Sequence, residues 1–207
     1  MTPPRPCRDT VPVRRISLVG NSGSGKTTLA RDLAAALGVP HLELDSIFHQ
    51  PGWQPLDRAV FVRRVDEFTQ APGWVVDGNY SAVRDLVWSR ADTVIWLDLP
   101  RFLVMRQVIW RTLRRMATNA ELWNGNREQW RNLLGRPEES IIVWAWTKHR
   151  TYHDRYLTAQ TDPANAHLTF VRLHTGKQKA ELLRDARLRA TERVDRGDLG
   201  VADLEAE

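Results

Sequence analysis

Gly20-Asn21-Ser22-Gly23-Ser24-Gly25-Lys26-Thr27 has the spacing G-x-x-x-x-G-K-[ST] and follows a short apolar run, Ile16-Ser17-Leu18-Val19. After it, Lys26 to Leu37 reads as a helix ended by Gly38, with Pro40 beyond. Strand, glycine-rich loop and helix in that order predict a cradle for a nucleoside triphosphate. Gly20, Gly23 and Gly25 let successive backbone N–H groups turn inward around the phosphates, and Ser22, Ser24 and Thr28 complete the binding set. Lys26 is placed to reach the β and γ oxygens, and the Thr27 hydroxyl to ligate Mg²⁺. The phosphates would sit on a helix N-terminus, where unpaired N–H groups and the helix dipole favour anions.

The 207 residues suffice for one α/β domain with a small insertion. The single Cys7 excludes a disulfide framework within the chain, and the Pro- and Arg-rich start has no apolar core of a signal peptide. No stretch is long and apolar enough to span a bilayer, so a reducing cytoplasm is the expected setting. A net charge of +5 points to anionic partners, a sign that suits phosphate-handling enzymes and nucleic-acid binders equally.

Short apolar runs alternate with amphipathic stretches, the pattern of βαβ units around a parallel sheet. The expected fold is an α/β P-loop three-layer sandwich with five parallel strands and a small helical lid. Its later strands are expected at His41–Leu44, Trp74–Val76, Thr93–Leu97 and Leu168–Leu173, and its helices at Asp57–Thr69, Ser81–Ser89, Phe102–Met116, Pro137–Leu157 and Lys177–Ala190. Asparagines and glycines interrupt the helical pattern over Ala117–Arg136 and mark an excursion. The domain is expected over residues 13–190, between a disordered start at 1–12 and a charged, frayed tail at 191–207.

Three carboxylates fall at predicted strand ends. Asp77 closes the third strand beside the phosphate loop and is the natural Mg²⁺ carboxylate. Asp45 closes the second, in Glu43-Leu44-Asp45, where it is placed to accept a proton from an attacking hydroxyl; Glu43 shares its face by the period of two. Asp98 closes the fourth, where capping is the competing role. Arg111, Arg114 and Arg115 share one helix face opposite an apolar stripe of Phe102, Met105, Ile109 and Leu113. With Arg127, Arg131 and Arg136 they are candidates to stabilise a transferring phosphoryl group or, with Trp110, Trp123 and Trp130, to bind nucleic acid. Of nine tryptophans, Trp88, Trp96 and Trp144 fit core positions, whereas Trp53 lies in a turn where an acceptor ring has room to stack. His149 and His153 are four apart, but with basic neighbours they read as surface residues rather than metal ligands.

Four segments carry a family resemblance: Gly20 to Thr28, Leu42 to Phe48 with Pro51-Gly52-Trp53, Trp74 to Ser81, and Ala91 to Pro100 running into the Arg-rich helix. Over roughly Arg15 to Arg115 the chain resembles the adenylate-kinase-related P-loop kinases, in particular the small bacterial branch labelled topology modulation protein or adenylate-kinase-like protein. Asp77-Gly78-Asn79-Tyr80-Ser81 stands where adenylate kinases have Asp-Gly followed by Phe-Pro-Arg, and the Glu-x-Asp end of the second strand is closer to kinases of the shikimate and gluconate type. The resemblance implies a lid over 117–136, phosphate roles for Arg111 and Arg115, and an adenine-binding loop at His174-Thr175-Gly176.

The expected activity is an ATP- and Mg²⁺-dependent kinase acting on a small nucleoside, nucleotide or hydroxylated metabolite. Lys26, Asp45, Arg111, Arg115 and Arg127 are the candidate catalytic residues; Asp45, Trp53, Asn79, Tyr80 and Arg84 are the acceptor-side candidates. A protein that binds DNA or RNA under an ATP switch, and a hydrolase without an acceptor, are the alternatives.

Overall fold

The structure is a computed structural model that describes residues 14–127 and 141–195. Five strands form one parallel sheet: β1 (Arg15–Gly20), β2 (His41–Glu43), β3 (Trp74–Asp77), β4 (Thr93–Leu97) and β5 (Thr169–Leu173), ordered β2-β3-β1-β4-β5. The phosphate loop leaves the central strand, with neighbours on both sides to fix its position.

Alternation along the strands supplies two cores. On one face Val94 and Trp96 of β4 pack with Trp74 and Val76 of β3; on the other, Ile95 and Leu97 pack with Ile16, Leu18 and Val75. Helix α1 (Lys26–Leu37) covers the second face through Leu29, Ala30 and Leu33 and stops at Gly38, whose left-handed backbone donates its N–H back to the last turn. A short helix α2 (Leu44–Phe48) follows β2 directly, so the second strand ends at Glu43, and Leu44 and Asp45 belong to the helix rather than to the strand expected there. Helix α3 (Arg58–Thr69) is capped by Asp57, which accepts from the N–H groups of Ala59 and Val60. With α4 (Ser81–Arg90) it covers the first face.

Helix α5 (Arg101–Ala117) presents a different face from the one its hydrophobicity predicts. Val104, Val108, Thr112 and Met116 are buried, whereas Phe102 is 75% exposed and Ile109 and Leu113 are each 39% exposed. The 3.6-residue period fixes a stripe's direction along a helix; which of two adjacent stripes turns inward depends on the partner surface. Here the partners are Leu99, Ala145 of the helix that follows, and the phosphate loop, where Val108 packs by Gly23. Helix α6 (Ile141–Thr161) runs four residues beyond the expected end, and α7 (Gly176–Asp195) continues past Ala190 into the segment expected to fray. Trp74, Trp88 and Trp96 are core residues; the Trp144 side chain and residues 1–13, 128–140 and 196–207, among them Trp130, Arg131 and Arg136, lie outside the description. Among the described residues no helix is long and apolar enough to cross a membrane.

Candidate active site

The phosphate loop is bent by backbone that side chains disfavour. Gly20 has φ 141°, and a Cβ there would lie 2.6 Å from the Leu97 carbonyl oxygen; Gly23 has φ 79°, and its Cβ would lie 2.2 Å from a methyl of Val108. Asn79 fastens the start of the loop: its Nδ2 donates to the Gly20 carbonyl at 2.6 Å and its Oδ1 accepts from the Gly20 N–H at 3.2 Å. Tyr156 donates to the same Oδ1 at 2.9 Å. Asn21 ties the next residue to α6 by donating to the Ala145 carbonyl at 2.7 Å, and the Ser24 N–H donates to the Asn21 carbonyl. Asn79, an acceptor-side candidate from sequence, is thus bound to the loop itself.

Lys26 lies along the inside of the loop, donating to the Gly20 and Asn21 carbonyls at 2.9 and 3.0 Å. The residue keeps some exposure, but its ammonium is enclosed. Burial pulls the ammonium below the ordinary lysine value and Arg111 acts in the same direction, against the carboxylates of Asp77, Asp45 and Glu43. From α5, Arg111 reaches the Ser22 hydroxyl at 3.4 Å, so this arginine faces the loop. Arg115 is partly buried one turn further on, while Arg114 is exposed. Ser24 is fully buried and its hydroxyl has no partner among the described residues; Thr28 is exposed.

At the first turn of α1 the Thr27 hydroxyl lies 3.0 Å from Glu43 Oε1 and 3.3 Å from Asp77 Oδ1. Sheet register explains the meeting, because Glu43 and Asp77 are paired residues on β2 and β3. Asp77 Oδ2 also lies 2.8 Å from His41 Nε2. Sequence reading gave Glu43 only a shared face with Asp45; the signal that would have found it is the pairing with Asp77, which is not local in sequence.

Asp45 accepts a hydrogen bond from the Tyr80 hydroxyl at 2.6 Å. Burial, and then the Asp45 carboxylate, push the Tyr80 phenol far above its ordinary value, so Tyr80 is a fixed donor. His49 lies 3.5 Å beyond, with a buried Nδ1 that has no partner among the described residues. Residues 121–127 dock over this end. Trp123 donates its indole N–H to Glu43 Oε2 at 3.0 Å and stacks on His49, Asn124 donates to the Ser46 and His49 carbonyls, and Asn126 joins the Gln50 carbonyl to the Trp53 N–H. Trp53 meets His49 and Trp123 edge-on. Arg127 pairs with Glu121 at 3.9 Å within the same turn. Arg84 bonds Asp85 and overlies Trp88; it borders a void of about 20 Å³, enough for a water and no acceptor. A groove of about 340 Å³ between Phe48, Leu56, Arg58, Phe61 and Ala82 contains none of the carboxylates.

Across the sheet, Asp98 gathers Arg172, through both Nε and Nη2, and His153 Nδ1 at 3.1 Å. Burial raises its carboxyl, but hydrogen bonds from His153 and Arg172 outweigh that and leave the group below its ordinary value. His149 lies 3.1 Å from the Leu99 carbonyl, so both histidines face inward rather than solvent. Thr175 caps α7 by accepting from the Gln178 N–H, and Gln178 Oε1 accepts from the His174 and Thr175 N–H groups; Gly176 has open space around it.

Glycine loop, buried lysine and central parallel strand make this a P-loop α/β nucleotide-binding fold. The site's oxygens also suit Mg²⁺. Thr27, Asp77 and Glu43 bring hard oxygen donors together at the first turn of α1, the donor type that Mg²⁺ prefers.

Comparison with family models and with curated proteins finds no match. Among solved structures the chain is similar to a gluconokinase from Sinorhizobium meliloti 1021, at 18% identity, covering 92% of this chain and 98% of that one with a TM-score of 0.45. It is similar to a shikimate kinase from Aquifex aeolicus vf5 at 15% identity, covering 90% and 99% with a TM-score of 0.46. A shikimate kinase from Acinetobacter baumannii, in complex with shikimate, matches at 17% identity over 91% and 96% with a TM-score of 0.47. At these scores the likenesses carry no argument about activity.

Proposed function

We propose that this protein is an ATP-dependent phosphotransferase acting on a small hydroxylated acceptor. The observation that carries the reading is a pair of chemically distinct carboxylate groups around Lys26: Glu43 and Asp77 at Thr27, and Asp45 at Tyr80, close enough to act on the lysine's charge. A binder or switch needs the first group; transfer to an acceptor gives the second a purpose.

In this reading Lys26 leaves the loop carbonyls for the β and γ oxygens, and Arg111 approaches the same oxygens from α5. Thr27 and Asp77, with Glu43 beside them, hold Mg²⁺, which when bound neutralises charge on the β and γ phosphates. The acceptor oxygen attacks the γ-phosphorus, the bond to the β–γ bridging oxygen breaks, ADP departs and Asp45 takes the acceptor's proton. Tyr80 holds Asp45 by one oxygen and leaves the other for the acceptor. Trp53, Trp123 and His49 wall this end, and the 118–127 segment, with Arg127, serves as the lid. Its carboxylates suit hydroxyl donors better than a second phosphate, so a hydroxylated metabolite is preferred to a nucleotide. Thr175 and Gly176 border the base.

Screening nucleosides, nucleotides and polyhydroxylated metabolites for acceptor-stimulated ADP formation tests the reading, beside a salt series of duplex DNA binding. The expected result is stimulation by a hydroxylated compound. No stimulation by any class, with sub-micromolar DNA binding whose logarithm falls by about 0.9 per phosphate contact with log salt, would replace it with a nucleic-acid binder.

A further inference from the structure

We infer that Lys179, in the first turn of α7, is a third cation for the donor nucleotide beside Lys26 and Arg111, binding its α and β phosphates. This rests on the ATP-binding reading above. The side chain leaves α7, which packs on α1, and brings its ammonium to the Ser24 carbonyl at 3.2 Å. A Cβ built on Gly25 would lie 3.2 Å from that nitrogen, so the charge sits over the glycine that immediately precedes Lys26.

Three features set this lysine apart from its neighbours. The other lysine of the same turn, Lys177, is paired with Glu181 in an exposed i, i+4 bridge, whereas the partner of Lys179 among the described residues is a neutral carbonyl. Second, partial burial lowers its pKa with no carboxylate acting against it, the direction expected of a half-buried cation that lacks a counter-charge. Third, its partner residue is Ser24, whose buried hydroxyl has no hydrogen-bond partner among the described residues. An anion in the loop would answer the first two at once, and the flexible four-carbon stem of lysine permits the short move from the Ser24 carbonyl to a phosphate oxygen. Placement also assigns the ligand. Thr175 and Gly176 lead into the same turn, so Lys179 stands between the loop proposed for the base and the loop proposed for the phosphates.

A contact to the α and β phosphates is made equally to ATP and ADP and in the ground and transition states alike, so its loss falls on affinity and KM more than on kcat. The test is calorimetric titration of wild type, Lys179→Gln and Lys179→Arg with ATP, ADP and adenosine, alongside Lys26→Ala. Lys179→Gln should raise Kd for ATP and ADP about tenfold and leave adenosine within twofold, and Lys179→Arg should recover most of the loss. Equal nucleotide affinity in wild type and Lys179→Gln overturns the inference while leaving the phosphate loop's role intact. A loss as large for adenosine as for ATP also overturns it, because it would mean that Lys179 shapes the base loop. Failure of the wild-type protein to bind ATP overturns this inference and the proposed function together.

Discussion

Asp77 and Asp45 are separated by their neighbours as much as by position: one shares Thr27 with Glu43, the other holds a phenol. In the proposed mechanism, Asp77→Asn raises the Mg²⁺ concentration that half-saturates activity, whereas Asp45→Asn lowers transfer and leaves ATP affinity within about twofold. Titrating Mg²⁺ and ATP against both variants checks the split, and equal loss of ATP affinity would remove the acceptor role of Asp45. Lys26→Ala should cost about 3 kcal/mol of transition-state stabilisation, on the order of a hundredfold in kcat, with the far-ultraviolet spectrum unchanged. Asn79 is a different case. With both polar atoms committed to Gly20, Asn79→Ala should lower unfolding free energy by about 1–3 kcal/mol in urea titrations as well as activity. Lys26, Thr27 and Asp77 were legible because strand, loop and carboxylate are consecutive or close a clear apolar run. The contacts of Glu43 and Asn79 were not, because their partners lie across a sheet register and 59 residues away along the chain.

The element that sequence patterning misjudged is α5, and the reason is instructive for its arginines. Once Val104, Val108 and Thr112 turn inward, Arg111, three residues from Val108, is carried to the phosphate loop instead of away from it. Likewise β2 was read one strand residue too long, since the apolar Leu44 continues the pattern while its backbone has already entered α2. The 121–127 segment docks through side-chain amides and an indole, contacts that no periodicity announces. Trp123→Phe keeps the ring on His49 and deletes the donor to Glu43. Hydrogen exchange should then speed up across residues 44–54 with the sheet unaffected; unchanged exchange there would mean that the indole bond does not hold the segment down.

For the whole molecule, Asp98 joins β4, β5 and α6 at one point. Its carboxyl is depressed in the folded state, so its contribution is complete above the unfolded value near 4 and disappears as pH falls through the folded one. Asp98→Asn should therefore lower the melting temperature by several degrees at pH 7, and the gap to wild type should close in acid; a gap that stays constant down to pH 3 would contradict the linkage. Fold class follows from the βαβ alternation, whereas the order β2-β3-β1-β4-β5 is set by strand pairing that no single segment announces. What no reading of single segments supplied is how α6 grips the phosphate loop, through Asn21 to Ala145 and Tyr156 to Asn79. When Lys26 swings to a nucleotide, the Gly20 carbonyl keeps the Asn79 amide and the Asn21 carbonyl keeps the Ser24 N–H, so neither is orphaned. The loop therefore needs no rearrangement to release the lysine. Nucleotide capture by this protein should accordingly be fast, with a small heat-capacity change, and any large heat-capacity signal should belong to the second substrate.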